Sequence, residues 1–289
     1  MASWTSGQWA RGVALIAMGL SLGSAVHVQR LALSDAPTEV IAAGRALAAD
    51  AARGASVMSR KGHIGFYSGL PVVEFPRVED LAALGSFARG NGADYLYFSW
   101  YETQLRPEFA YLLDTTSRVP GLRAIHVSPT KPAVLYRIEP GFGRAPAWWN
   151  DEFERSVHAA RAMVWVSGDR AATAHHVVMG VDALRRGAWS EALHHAGLVT
   201  QREPRDTVAW VVAGEAARGL GRALEARAAY DRALALDSSE TIALMGLGRL
   251  EAQALRGDRA RALWQRAAAG TDDPAMREEI RHLLANAVP

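Results

Sequence analysis

Thr173, Thr207 and Thr241 stand 34 residues apart, and Gly180, Gly214 and Gly248 keep the same interval, as do Ala192, Ala226 and Ala260. Gly187 and Gly221, Tyr230 and Trp264, and Ala233 and Ala267 repeat it again. Several columns held at one period require a structural unit stacked on copies of itself, since a single unit cannot bury its apolar face alone. The residue types predict paired helices. The threonines can cap the first helix of each pair through their hydroxyls. The glycines and Ala192, Ala226 and Ala260 are small where two helices come close, and Trp210, Tyr230 and Trp264 fill the space between neighbouring pairs. Pro204 ends the second helix of the first pair. Pro274 opens a last amphipathic helix with Met276, Ile280, Leu283 and Leu284 on one face, suited to a solvating cap.

This period is that of the tetratricopeptide repeat (TPR), and residues 173–289 resemble that family, with units at 173–206, 207–240 and 241–274 followed by the capping helix. The resemblance implies a concave groove lined by the first helix of each unit. Mapped by position, the groove presents Val177, Val181, Arg185, Val211, Glu215, Arg218, Met245, Arg249 and Gln253. Arg185, Glu215, Arg218, Met245 and Arg249 are the expected partner-binding residues. The three arginines are expected to form a stepped basic row able to hold carboxylates or a chain terminus, with Glu215 paired to one of them. The alternative is that they are solvated surface.

Upstream, residues 34–140 alternate helix and strand patterns and predict a small α/β layer domain. An Ala-rich helix over 37–53 is followed by strands over 55–59 and 71–75 with a turn or short helix over 62–69 between them. An amphipathic helix over 78–89 ends at Gly90-Asn91-Gly92, and the aromatic stretch 95–100 is the strongest strand. A short helix over 107–113 and strands over 122–128 and 133–138 complete the domain. Residues 141–172 read as a Pro/Gly-rich linker and a packing helix over 150–166, capped by Asn150 or Asp151, that leans on the first repeat. The fold class expected is therefore mixed: an N-terminal apolar helix, an α/β layer domain and an all-α solenoid.

The phrases VMSRKGHIGFYSGLPVVEFP, LAALGSFARGNGADYLYFS, RPEFAYLLD, PGLR and VLYRI resemble the soluble tail that follows the last membrane helix of protein-mannosyltransferase-like polytopic glycosyltransferases, over residues 37–138. Those enzymes carry catalytic carboxylates in early extracytoplasmic loops that have no counterpart here. The resemblance implies a tail without its catalytic membrane part, facing away from the cytoplasm, and transfers no catalytic residue.

Residues 1–33 contain an uncharged apolar run, 12–28, bracketed by Arg11 and Arg30 and preceded by Trp4 and Trp9. It is expected to be a single membrane-anchor helix. A cleaved signal peptide with Gly23-Ser24-Ala25 as its small-residue site, or a buried core helix, are the alternatives. The soluble part is expected to be extracytoplasmic (periplasmic).

Other chemistries find little support. The formal net charge is +2 with no clustered basic residues, so no nucleic-acid partner is expected. The absence of cysteine excludes disulfides, thiolate metal sites and a cysteine nucleophile. His175-His176 and His194-His195 are adjacent pairs that diverge on a helix, so no metal site is expected, although one histidine of each pair can meet across helices. No phosphate loop, nucleophile elbow, metalloprotease motif or carboxylate pair on a catalytic scaffold is legible, and no cofactor is expected. Arg256-Gly257-Asp258 falls at a turn between repeat helices. The function expected is a non-catalytic, membrane-anchored protein-interaction scaffold. The alternative is a detached C-terminal part of a membrane glycosyltransferase that uses lipid-linked sugars, assisting sugar transfer.

Overall fold

The computed structural model describes residues 37–129 and 131–286. The apolar run 12–28 lies outside them, and among the described residues no helix is long and apolar enough to cross a membrane.

The first part is a five-stranded mixed sheet in the order β2-β1-β3-β5-β4. Its strands are β1 (Val57–Ser59), β2 (Val72–Glu74), β3 (Tyr95–Ser99), β4 (Leu122–Val127) and β5 (Ala133–Ile138). β1 pairs in parallel with β2 on one side and β3 on the other, while β5 runs antiparallel to both β3 and β4. Helix α1 (Thr38–Asp50) precedes β1, and α2 (His63–Ser68), α3 (Leu81–Gly90) and α4 (Trp100–Leu105) lie in the connections that follow β1, β2 and β3. Asp80 stops the chain before α3 by accepting the Ala83 N–H at 2.7 Å, so that helix begins later than the apolar pattern indicates.

Alternation along the strands builds two cores. Val57, Tyr95, Tyr97, Ala133 and Leu135 face Val40, Ala43, Leu47 and Ile64 of α1 and α2. Met58, Leu96, Phe98, Val134 and Tyr136 face the other way, onto Leu84 of α3 and Phe109, Leu112 and Leu113 of the 3-10 segment Pro107–Leu113. A sheet covered on both sides leaves no polar face on its central strands, which is why β3 reads as an unbroken apolar run.

α5 (Glu152–Ser167) starts where expected, with Asp151 accepting the Glu154 N–H at 3.1 Å. It packs on the first repeat, and it also closes the second core through Ala162, Met163, Trp165 and Val166. The stretch read as linker and packing helix thus supplies part of the sheet's cover. Trp148, just before it, donates its indole N–H to the Ser117 carbonyl and stacks edge-on against Tyr111.

Three helical hairpins follow: α6 (Thr173–Arg185) with α7 (Trp189–Arg202), α8 (Thr207–Gly219) with α9 (Ala223–Leu236), and α10 (Thr241–Gln253) with α11 (Gly257–Gly270). α12 (Pro274–Ala285) covers the last of them, burying Ile280 completely. Each first helix begins at a threonine of the 34-residue column, but the threonines do not cap. Asp206 accepts the Ala209 N–H at 2.8 Å and Glu240 accepts the Ile242 N–H at 3.1 Å, while Ala172 makes no side-chain cap. The threonine is already the first helical residue, so the capping position falls one residue earlier.

Candidate functional site

The small residues of the repeat set how closely the hairpins stack. Tyr230, fully buried, lies between Gly214 of its own hairpin and Gly246 of the next. A Cβ at either glycine would enter the ring, and a Cβ at Gly248 would enter the indole of Trp264 in the same way. The turns are tight because Gly187 and Gly221 take φ of 71° and 73°. Packing of this kind brings the first helices of successive hairpins against one another.

The expected groove residues have distinct neighbours. Glu215 is the junction at the centre. One of its oxygens accepts the Tyr230 hydroxyl at 2.7 Å and the other accepts an Nη of Arg218 at 2.6 Å. Arg218 is 27% exposed, and its Nε is buried with no acceptor. Arg249 instead pairs with Glu279 of α12 at 2.5 Å. Arg185 lies over the ring of Phe153 in α5, with 3.7 Å between the guanidinium carbon and the ring centre. The structure therefore joins Glu215 to Arg218 and does not assemble the three arginines into a stepped row. The reason is register: they are the thirteenth, twelfth and ninth residues of helices beginning at Thr173, Thr207 and Thr241. A shift of four residues is roughly 6 Å along a helix axis, so each arginine meets a different neighbour.

Met245 is buried with Trp264 and Ile280 as part of the core under α12, so its side chain is not open on the groove. Val211 is also buried, Val177 and Val181 are half-buried and Gln253 is exposed. Val208 and Ile242, each the second residue of its first helix, are 50% and 37% exposed and were not among the residues expected from the pattern of the groove. Their signal was available, because both are large apolar side chains two residues after a capping position. α5 packs at one end of the row of hairpins and α12 at the other.

Residues 173–285 form a TPR-like solenoid of three helical hairpins and a covering helix. No protein-family model matches the chain, and no curated protein matches it. Among solved structures it is similar to the Arabidopsis OM64 TPR domain, at 15% identity over 42% of this chain and 100% of that one, with a TM-score of 0.37. It is similar also to a thermophilic TPR protein of Thermus thermophilus, at 19% identity over 46% of this chain and 74% of that one, with a TM-score of 0.39. The first TPR of Spaghetti bound to an HSP90 peptide matches at 18% identity over 38% of this chain and 89% of that one, with a TM-score of 0.35.

Two further clusters stand outside the groove. His176 and His195 meet across α6 and α7 with their Nδ1 atoms 3.0 Å apart, both buried. Burial first, then the charges of Arg202 and His194 on one ring and of His176 and His194 on the other, hold both imidazoles below their ordinary pKa. Among the described residues no group of three or more His, Asp or Glu is placed to hold a metal ion.

The second cluster was not legible as a site. Arg60, just past β1, and Glu102, just past β3, form an ion pair at 3.0 Å that Arg106 joins at 3.3 Å. Glu39 of α1 and Tyr97 of β3 line a neighbouring cavity of about 170 Å³. Residues 39, 60, 97 and 102 lie on separate elements, so no spacing in the sequence links them. The available signal was topological: Ser59 and Ser99 end two parallel neighbours at the point where the strand order reverses, which is where open α/β sheets form crevices.

Proposed function

We propose that the repeats are a non-catalytic protein-interaction scaffold whose concave face takes an acidic segment of a partner protein. One observation carries this reading: Arg218, on the middle one of the three first helices, uses a single Nη to hold Glu215 and is otherwise short of acceptors, its buried Nε–H having none, while its side chain stays 27% exposed. A carboxylate from a partner would bind the exposed part of that guanidinium. The exposed Val208 and Ile242 offer apolar contact near the starts of the second and third first helices. A charge-assisted hydrogen bond shielded from water contributes about 1.5–3 kcal/mol, against about 0–1 kcal/mol at an exposed rim. Arg218 and Arg249, at 27% and 22% exposure, are nearer the shielded case.

Residues 12–28 would hold this scaffold at a membrane with the soluble part outside the cytoplasm. What supports that is the uncharged run between Arg11 and Arg30, the tryptophans before it and the resemblance of residues 37–138 to an extracytoplasmic tail.

The test uses the full chain and fluorescently labelled acidic heptapeptides with free or amidated C-termini. Binding to the wild type is expected, weakened about tenfold or more in the Arg218→Gln, Arg249→Gln double variant. Helical circular dichroism checks that the variant is folded. Neutralisation is preferred to charge reversal, because a carboxylate at 218 would face Glu215 beside Tyr230. No binding of any acidic peptide, or equal binding by the folded double variant, would show that these arginines are solvated surface.

A further inference from the structure

The crevice at the carboxyl ends of β1 and β3 contains polar groups that the fold itself does not use. Glu39, 8% exposed, has a buried carboxylate oxygen with no hydrogen-bond partner. Tyr97, 7% exposed, has a buried hydroxyl with none. Both line the same cavity of about 170 Å³, with Ser59, Arg60, Lys61, His63, Ser99 and Glu102 around them. The phenol is acted on by burial and then by the charges of Glu39 and Glu102, all of which keep it protonated and therefore a donor. Neighbouring strands usually satisfy such groups, and a protein interior leaves few of them unpaired.

The chemistry of these two groups restricts what can satisfy both. Glu39 offers an acceptor and Tyr97 a donor. An ammonium group only donates, and it would pass the cations of Arg60 and Lys61, both held against the ring of Tyr101 at the mouth. A phosphate or carboxylate only accepts, and it would meet Glu39. A hydroxyl does both at once: its hydrogen goes to the carboxylate and its oxygen receives the phenol proton. Around the cavity Glu39 and Glu102 are matched by Arg60 and Lys61, so the crevice makes no strong demand for a charged ligand. Its volume is below the roughly 300–1,000 Å³ of sites for drug-sized molecules, which limits the occupant to about one sugar ring.

We propose that this crevice binds a small neutral polyhydroxylated molecule of monosaccharide size, with vicinal hydroxyls bridging Glu39 and Tyr97. The site sits at the strand-order reversal, where the β1 and β3 connections leave in opposite directions and open a cleft. It is independent of the repeats and of their groove.

The experiment is saturation-transfer NMR on the full chain with a panel of neutral hexoses and inositol, alongside glucosamine and glucose 6-phosphate as charged counterparts. At least one neutral member is expected to bind in the millimolar range or tighter, in preference to both charged ones. Tyr97→Phe removes only a hydroxyl that nothing else uses, so the unliganded melting temperature is expected to stay level or rise while affinity falls about tenfold. Glu39→Gln is expected to weaken binding in the same way. Binding of no neutral member, preference for a charged one, or unchanged affinity in the folded Tyr97→Phe chain would overturn the proposal.

Discussion

At the scale of single residues, the repeat shows where side chains are excluded and where one is merely tolerated. Gly187 and Gly221 occupy a left-handed turn position, and the third hairpin places Leu255 there instead, at φ 58° and 93% exposed. A side chain in that region costs about 1–2 kcal/mol, against about 0.5–1 kcal/mol for the extra freedom glycine loses on folding. Leu255→Gly is therefore expected to stabilise the chain by up to about 1 kcal/mol, read from urea unfolding, because an exposed leucine gives up no packing. Gly246→Ala is the opposite case. Its methyl would enter the Tyr230 ring, which Gly214 backs on the other side, and a loss of about 1–3 kcal/mol is expected by the same measurement.

At the scale of elements, the repeats depend on what lies between and beyond the hairpins. α12 closes the open side of α10 and α11 through Ile280, Met276, Leu283 and Leu284, with Arg249 and Glu279 at its margin. Ile280→Ala is expected to cost toward the lower end of about 2–5 kcal/mol, since a terminal helix relaxes more readily than a central one. The first unfolding step in hydrogen exchange would then be the C-terminal hairpin. Between α6 and α7 the pair His176–His195 is buried in its uncharged form, with His194, Asp169, Glu191 and Arg202 acting on it. Both folded pKa values lie below the unfolded one, so the unfolded chain takes up protons first as pH falls. The stability this pair contributes is whole above the unfolded histidine pKa of 6.5 and is lost progressively below it. The melting temperature is expected to fall between about pH 7.5 and about pH 5.5, and by less in a His176→Asn, His195→Asn variant. Equal slopes in the two proteins would remove the histidines from the account.

At the scale of the whole molecule, the sheet domain and the repeats are joined through α5. Asp114, in a loop of the sheet domain, accepts from His158 at 2.7 Å and Arg161 at 3.3 Å, and Arg161 reaches on to Asp182 of α6 at 3.1 Å. Asp182 also holds Arg186, which in turn reaches Glu191 of α7. Burial by itself would raise the Asp114 pKa, but the bonds from His158 and Thr116 and the charge of Arg161 hold it below the ordinary value of 3.8. The stability from this carboxylate is therefore present above that value and lost as pH falls through the lower folded one. Asp114→Ala leaves His158 and Arg161 without their buried partner. Arg161 is 30% exposed, which reduces the penalty from the roughly 3–5 kcal/mol of a fully buried pair to about 1–3 kcal/mol. Calorimetry is expected to show the single transition of the parent split into two, one for each part of the molecule. A single transition at a lower temperature would mean that apolar contacts of α5 carry the coupling alone.

The solenoid was legible because its information is local and repeated: small residues at Gly180, Gly214 and Gly248 and aromatic fillers at Tyr230 and Trp264 recur at one interval whatever surrounds them. The central strands were legible for a related reason, since burial on both faces leaves apolar runs such as residues 95–98. What the period could not decide was the neighbour of each groove side chain. Arg185, Arg218 and Arg249 look alike in sequence, yet one lies on Phe153, one on Glu215 and one on Glu279, because α5 and α12 come from outside the repeat. Met245 likewise reads as a groove residue until α12 covers it. The crevice depended on tertiary structure altogether: Glu39 and Tyr97 are 58 residues apart and acquire a common cavity only when α1 folds over the ends of β1 and β3. Periodicity records how a chain packs against its own copies, whereas ion pairing and buried polar groups depend on distances between unrelated segments, and those distances exist only in the folded molecule.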